Sequence, residues 1–215
     1  VSEMKRQREI VDEESGKDLL TFSKPILNRP RFMQQKTITP AERGTAMHMV
    51  MQHVDLTKPV TSEAIHAQLE AMVARELLTE EQKQAIDTEQ IVSFFESDLG
   101  ERMRKASSLK REVPFSAAFP ANVAYADWKG DNESILVQGV IDCVFEDEQG
   151  LVLVDYKTDA ITDRYKGGFK QAKPILEDRY RIQIKLYTQA LEQILKKEVT
   201  EKYLFFFDGG HVIKL

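Results

Sequence analysis

The chain has 215 residues, enough for one sizeable domain with its own apolar core. Its single cysteine, Cys143, excludes an internal disulfide, a cysteine-rich zinc site and a self-contained four-cysteine iron–sulfur cluster, and it agrees with a reducing cytosol. The formal net charge is -5, from 30 Lys+Arg against 35 Asp+Glu, so any contact with nucleic acid must come from local basic groups.

No apolar run approaches the roughly 20 residues of a membrane span, and no secretory signal opens the chain. A start at Val1 rather than Met is what a fragment of a longer polypeptide would show. Residues 1–38 read as an extended arm or linker. Lys5, Arg6 and Arg8 give way to Asp12, Glu13 and Glu14, and Pro25 and Pro30 follow with little periodicity. Ser15-Gly16-Lys17-Asp18 is not a phosphate loop, because the upstream glycine and the Ser/Thr after the lysine are missing.

The first firm helix signal is Thr39-Pro40-Ala41-Glu42, an N-cap, a first-turn proline and a capping box. Met47, Val50, Met51 and Val54 continue it at helical spacing, and the helix is expected to end before Pro59. A second helix is expected from Thr61 or Ser62, with Ile65, Leu69, Met72, Val73 and Leu77 on one face. Thr79 with Gln82 marks another capped start, and Ile91, Val92, Phe95, Leu99 and Met103 carry a helical region to about Ser107. After Lys110 the period changes. Glu112–Phe119, Tyr125–Trp128, Ser134–Phe145 and Leu151–Tyr156 read as strands, with turns at Lys129–Asn132 and Asp147–Gly150. Residues 159–178, with Gly167, Gly168 and Pro174, read as a loop. Residues 179–197 read as a helix with Ile182, Leu186, Ala190 and Ile194 in one stripe. Tyr203–Phe207 reads as a strand, and Val212–Leu215 as a closing segment.

The chemistry concentrates in Gly139-Val140-Ile141-Asp142 and Val152-Leu153-Val154-Asp155-Tyr156-Lys157. Strand side chains alternate, so Asp155 and Lys157 point to one side, and pairing of the two strands brings Asp142 beside Asp155. Two carboxylates at one strand edge repel each other unless a cation lies between them, and oxygen donors suit Mg²⁺ or Mn²⁺. A lysine two residues on can orient or deprotonate a water, or stabilise transition-state charge. Aspartates at strand ends are also common turn residues, and lysines there are commonly solvated. The apolar flanks and the Asp-x-Lys spacing argue for the metal site. His48 lies on the first helix and gains weight only from this downstream pair, while His53 and His66 have no assigned role. Gln183 and Tyr187 share a helix face at i, i+4, which alone means only a polar–aromatic pair at the edge of a core.

Gly44-x-x-x-His48, Glu112 in Arg111-Glu112-Val113-Pro114-Phe115, Gly139-x-x-Asp142, Asp155-Tyr156-Lys157 and Gln183-x-x-x-Tyr187 follow in that order. The series resembles the RecB-type nuclease branch of the PD-(D/E)XK superfamily, over about residues 39–215. Val154 stands where the superfamily name has proline. Within the branch, Glu112–Phe115 and the run Tyr203–Phe207 look most like the C-terminal nuclease domains of AddA-type subunits of bacterial AddAB helicase–nucleases. The resemblance implies an α/β fold with a restriction-endonuclease-like core, a mixed central sheet flanked by helices, and an N-terminal helical region. It implies metal ligation by His48, Asp142, Asp155 and the Tyr156 carbonyl, and action of Lys157 on the attacking water. Gln183 and Tyr187 would position substrate or brace the site. Glu112 would lie behind the ligands or bind a second metal. The implied activity is Mg²⁺-dependent exonuclease cleavage of DNA, with Mn²⁺ as an alternative ion, during processing of double-strand ends for recombinational repair. Implied partners are DNA, a helicase region of the same longer polypeptide and an AddB-type subunit, in the bacterial cytoplasm and with no membrane.

Two basic groups fit DNA phosphates: Arg102, Arg104, Lys105, Lys110 and Arg111, and then Lys166, Lys170, Lys173, Arg179, Arg181 and Lys185. Tyr125 and Trp128 suit base stacking less well than packing. Two rival readings remain at this stage. One is a catalytically silent nuclease-fold module that holds DNA ends or a partner subunit. The other is a metal-dependent hydrolase of another substrate. The intact aspartate pair and lysine favour the nuclease over the silent module, and the basic groups weigh only mildly against the other hydrolase.

Overall fold

The computed structural model describes residues 38–121 and 133–215. The arm up to residue 37, the expected strand Tyr125–Trp128 and the turn Lys129–Asn132 lie outside the described residues. The chain divides into two compact units. One holds the described residues up to Arg104, with Lys157–Ala160 and Phe206–Gly210. The other holds Lys105–Tyr156, Ile161–Phe205 and His211–Leu215. No helix among the described residues is long and apolar enough to cross a membrane.

The first unit is built on helices α1 (Pro40–His53), α2 (Ser62–Ala74), α3 (Glu80–Gln84), α4 (Thr88–Glu96) and most of α5 (Asp98–Lys105). The capping box of α1 is complete: Glu42 N–H donates to Thr39 Oγ1 at 3.2 Å, and Thr39 N–H donates to Glu42 Oε2 at 2.8 Å. Thr79 and Gln82 repeat the arrangement at α3. Met47, Val50, Met51, Ile65, Leu69, Met72, Phe94 and Phe95 are buried, and the last two rings meet edge to face at 5.0 Å. Two expectations change here. Helix α2 stops at Ala74, Glu76 turns to φ 59, and Leu78 rather than Leu77 is buried. The expected helical region to Ser107 is broken at Ser97, which has extended backbone. Its hydroxyl donates to Phe94 O at 2.6 Å and accepts from Gly100 N–H at 3.2 Å, so it closes α4 and caps α5.

The second unit carries most of a five-stranded sheet, in the order β1 (Ser108–Pro120), β2 (Ser134–Asp147), β3 (Gly150–Lys157), β4 (Val199–Phe206) and β5 (His211–Lys214). The first three strands pair antiparallel. Thr200 Oγ1 donates to Leu151 O and Phe207 N–H donates to Lys157 O, both at 3.0 Å. These contacts advance in the same direction along β3 and β4, so the pair is parallel and the sheet mixed. Every residue of β3 after Gly150 is buried, which matches its nearly continuous apolar sequence.

Helix α6 (Gly168–Leu195) crosses from β3 to β4 and touches β1 and β5. It overturns the expected loop over 159–178, because the helix starts at Gly168 and takes Pro174 inside it. Ala172, Leu176, Tyr180, Ile184, Tyr187 and Leu191 form its buried face, and this stripe already runs upstream of the proline. Packing along that stripe outweighs the missing backbone donor. The expected stripe of Ile182, Leu186, Ala190 and Ile194 is also corrected: Ile182 and Ile194 are 39% and 49% exposed. Uniform steps of four overshoot the helical turn and drift around the helix, so those four residues do not share one face.

The β2–β3 turn depends on Gly150, whose φ is 114. A Cβ there would stand 2.6 Å from Thr200 Cγ2 and 2.7 Å from its Oγ1. Gly150→Ala is expected to destabilise the protein by about 1–3 kcal/mol through strain and crowding. Urea unfolding of the purified variant measures it, and an unchanged midpoint would refute this account of the turn.

Candidate active site

The second unit brings four strand positions together around Asp142. Pairing of β2 with β3 runs from Asp147↔Gly150 to Cys143↔Val154 and stops there, and Asp142 and Asp155 occupy the next position. At that point the Tyr156 N–H donates to Asp142 Oδ2 at 2.8 Å, a side-chain acceptor at the end of a backbone ladder. On the other side, β1 pairs with β2 through Arg111↔Cys143 and Val113↔Ile141, while Glu112 and Asp142 between them are out of the ladder. Glu112 has φ 51, a left-handed conformation that costs a residue with a side chain roughly 1–2 kcal/mol. The ladder is therefore interrupted on both flanks of Asp142, and its carboxylate is released from a regular strand.

A carboxylate oxygen of Glu112 and one of Asp142 lie within 4.8 Å of each other. Asp142 is 9% exposed and Asp155 only 2%. Like charges at that separation, with little water to screen them, favour a cation among them. Lys157, two residues beyond Asp155 on β3, is also buried at 9% exposed. Asp159 is a further buried charge, and the sequence reading did not single it out. The period-two run Asp155, Lys157, Asp159 was the signal available.

His48 belongs to the first unit, on α1, half-buried beside the buried Met47, Val50 and Met51. Gly44, one turn earlier on the same helix face, is buried, and a Cβ on it would come 2.9 Å from Thr158 Oγ1. Within that unit, the α1 face that carries His48 thus lies against the residue that follows Lys157.

Tyr187 and Gln183 stand on α6, and Gln183 Nε2 donates to the Tyr187 hydroxyl at 3.0 Å. Burial pushes the Tyr187 phenol well above its ordinary value. The carboxylates of Asp155 and Asp142 push it further, Glu112 adds to them, and the Gln183 bond opposes the shift. The hydroxyl therefore keeps its proton. With Gln183 donating to the oxygen, that proton is directed away from Gln183. The Phe115 ring meets the Tyr187 ring edge to face, with centroids 5.5 Å apart and planes at 76°. Neither Phe115 nor Gly139 had a role of its own in the sequence reading, since the contact that joins them to Tyr187 is tertiary.

The basic groups are less sharply defined. On α6, Lys173 pairs with Glu177 at 3.7 Å and Arg181 with Asp178 at 3.3 Å, and the Arg179 guanidinium lies 6.0 Å from the Tyr180 ring centroid. Exposed pairs of this kind contribute little to stability and break easily when a phosphate competes.

A model of the PD-(D/E)XK nuclease superfamily matches residues 23–213. Over its whole length the chain is 53% identical to AddA, the larger-named half of the ATP-dependent helicase/nuclease, from Bacillus cereus strain Q1, Bacillus thuringiensis strain Al Hakam and Bacillus anthracis. It spans 17% of the length of each of these relatives. Among solved structures, one titled "Crystal structure of SSO0001" aligns over 85% of this chain and 78% of its own, at 11% identity and a TM-score of 0.33.

Cys143, next to Asp142, is fully buried, and burial pushes its thiol up to about 12, with the Tyr156 hydroxyl bond opposing and Asp142 reinforcing the shift. Only the thiolate reacts at a useful rate. In native protein at pH 8 the thiol is expected to resist a disulfide-exchange reagent, and in denaturant it should react fully. Rapid labelling of the native protein would contradict the buried placement.

Proposed function

Since the chain belongs to the PD-(D/E)XK nuclease superfamily, we propose that it is the DNA-cleaving part of a helicase–nuclease, an exonuclease that hydrolyses phosphodiester bonds with a divalent ion. The observation that carries this reading is the burial of Asp142, Asp155 and Lys157 on two adjacent strands where the ladder ends. A silent module has no use for carboxylates that lower the stability of its core, so the enzyme is favoured over a binding fold. The likeness to the AddA helicase/nuclease chains supports DNA as substrate and a helicase region in the same longer polypeptide. An AddB-type partner and a role on bacterial chromosomal DNA in the cytoplasm complete the proposal.

The donor set fits a hard cation. We assign the ion to His48, Glu112 and Asp142, with Asp155 and the Tyr156 carbonyl as further oxygen donors. Carboxylate-rich sites of this kind suit Mg²⁺, and one imidazole nitrogen also admits Mn²⁺. Glu112 thereby moves from a supporting role to a ligand. A bound divalent ion supplies charge that offsets the phosphate and the negative charge growing on the leaving oxygen. The protein residues do the rest. Lys157 donates hydrogen bonds to the attacking water and holds it in line with the phosphorus. Tyr187, kept protonated, donates to the acidic cluster or to a phosphate oxygen, and Gln183 fixes its direction. Basic residues such as Lys170 and Lys185 guide the DNA backbone, and their hold weakens as salt rises.

Asp155→Ala is expected to abolish cleavage while its circular dichroism stays that of the wild type. Lys157→Ala should lower turnover at least about a hundredfold yet bind Mn²⁺ with unchanged affinity, because its role is on the water. Cleavage assays with isothermal titration of the ion check both. Near-normal cleavage by Asp155→Ala would remove the site assignment.

His48→Ala is expected to weaken Mn²⁺ binding more than Mg²⁺ binding, since nitrogen is the softer donor. It should also cost less activity than Asp155→Ala, because the carboxylates remain. A lowered melting point of the metal-free variant, with both metal affinities unchanged, would show that His48 only packs.

A further inference from the structure

Tyr187 is held by more than its glutamine. Phe115 on β1 and Gly139 on β2 are direct cross-strand partners, and Phe115 and Tyr187 are both buried. A Cβ at Gly139 would stand 2.9 Å from Phe115 Cε1, 3.1 Å from Phe115 Cζ and 3.7 Å from Tyr187 Cε1. Position 139 therefore has room only for a hydrogen atom while the Phe115 ring is present. The ring fills the space that a side chain on β2 would take, and presents its edge to Tyr187 at 5.5 Å. The same two strands carry Glu112 and Asp142 three residues away, at the interruption of their ladder. A shift of the Tyr187 ring would swing its hydroxyl relative to the carboxylates while leaving those carboxylates on their own strands.

From this geometry we infer that Phe115 and Gly139 are positioning residues that form a seat for Tyr187 and aim its hydroxyl at the carboxylate group. The seat rests on the nuclease reading for its consequence, but its existence does not. Glycine at 139 is required by the ring at 115, and the ring at 115 is required by the tyrosine at 187. The three positions work as one unit, and a change at either seat residue acts through Tyr187.

The test uses Phe115→Leu, Gly139→Ala and Tyr187→Phe in the whole chain, with ¹³Cζ-tyrosine labelling. The Tyr187 resonance is identified by its loss in Tyr187→Phe. In metal-free protein, Phe115→Leu and Gly139→Ala should each displace that resonance and leave the melting point of Phe115→Leu near that of the wild type. On a duplex oligonucleotide with Mn²⁺, Phe115→Leu should lower kcat about tenfold with KM and Mn²⁺ affinity unchanged. Added to Tyr187→Phe, the same substitution should change kcat less than about twofold, since the group it acts through is gone. Should Gly139→Ala fold poorly, the pair Gly139→Ala with Phe115→Leu removes the crowded Cε1 and Cζ atoms. That pair should recover the melting point and keep the displaced resonance. An unmoved Tyr187 resonance, or a full tenfold loss on top of Tyr187→Phe, would overturn the seat. If the wild type cleaves no DNA, the nuclease reading fails, and the resonance measurement still decides the seat.

Discussion

One bond, from the Tyr156 N–H to Asp142 Oδ2 at 2.8 Å, organises the centre of the sheet. It replaces strand pairing at the place where the β2–β3 ladder ends, and it holds a charged side chain in a position that is 9% exposed. A carboxylate so placed needs charge-assisted hydrogen bonds or a cation, and a backbone N–H supplies part of that need. The remaining oxygen is left to face Glu112 and the neighbouring Asp155. Glu112 reaches it by adopting φ 51 on an edge strand, a conformation that the pairing around it has to sustain. Local strain and confined like charge thus fall on adjacent residues, as expected where a fold gives up stability for binding.

The surroundings make that arrangement rigid. The rear of β2 and β3 is closed by Cys143 and Tyr156, joined by a thiol–hydroxyl bond and buried without charge. Tyr156 contributes to both sides of the strand: its backbone orients Asp142, and its side chain anchors the strand behind. On α6, the Gln183–Tyr187 bond and the Phe115 edge contact limit the motion of a phenol that must keep its proton. Few polar atoms here retain freedom to reorganise, which is the condition for electrostatic preorganisation in a catalytic centre.

How much of this was legible in the sequence follows from the range of each interaction. Thr39 with Glu42 and Thr79 with Gln82 act over three residues, and both capping boxes are present. The alternation of Asp155 and Lys157 within apolar β3 is equally local, and both side chains are buried. Pro174 misled because its local effect is to end helices, while the stripe from Ala172 to Leu191 that keeps α6 continuous is a tertiary property. Ile182 and Ile194 misled because steps of four hide a rotation that grows along a long helix. The left-handed turn at Glu112 and the Phe115–Gly139–Tyr187 contact had no signal in spacing, since each depends on which strands lie side by side.

The central claim is that the carboxylates are confined at a cost to stability and relieved by a divalent ion. Thermal unfolding of the wild type and of Asp142→Asn, each with and without Mn²⁺, tests it directly. Asparagine keeps an oxygen for the Tyr156 N–H and removes the charge. Without metal the variant should melt at or above the wild-type temperature, because repulsion is gone. The wild type should rise in melting temperature as Mn²⁺ is added, in line with a gain of about 2.7 kcal/mol at a hundred times the dissociation constant, and the variant should not. A variant that melts lower without metal and gains as much from Mn²⁺ as the wild type would contradict the account.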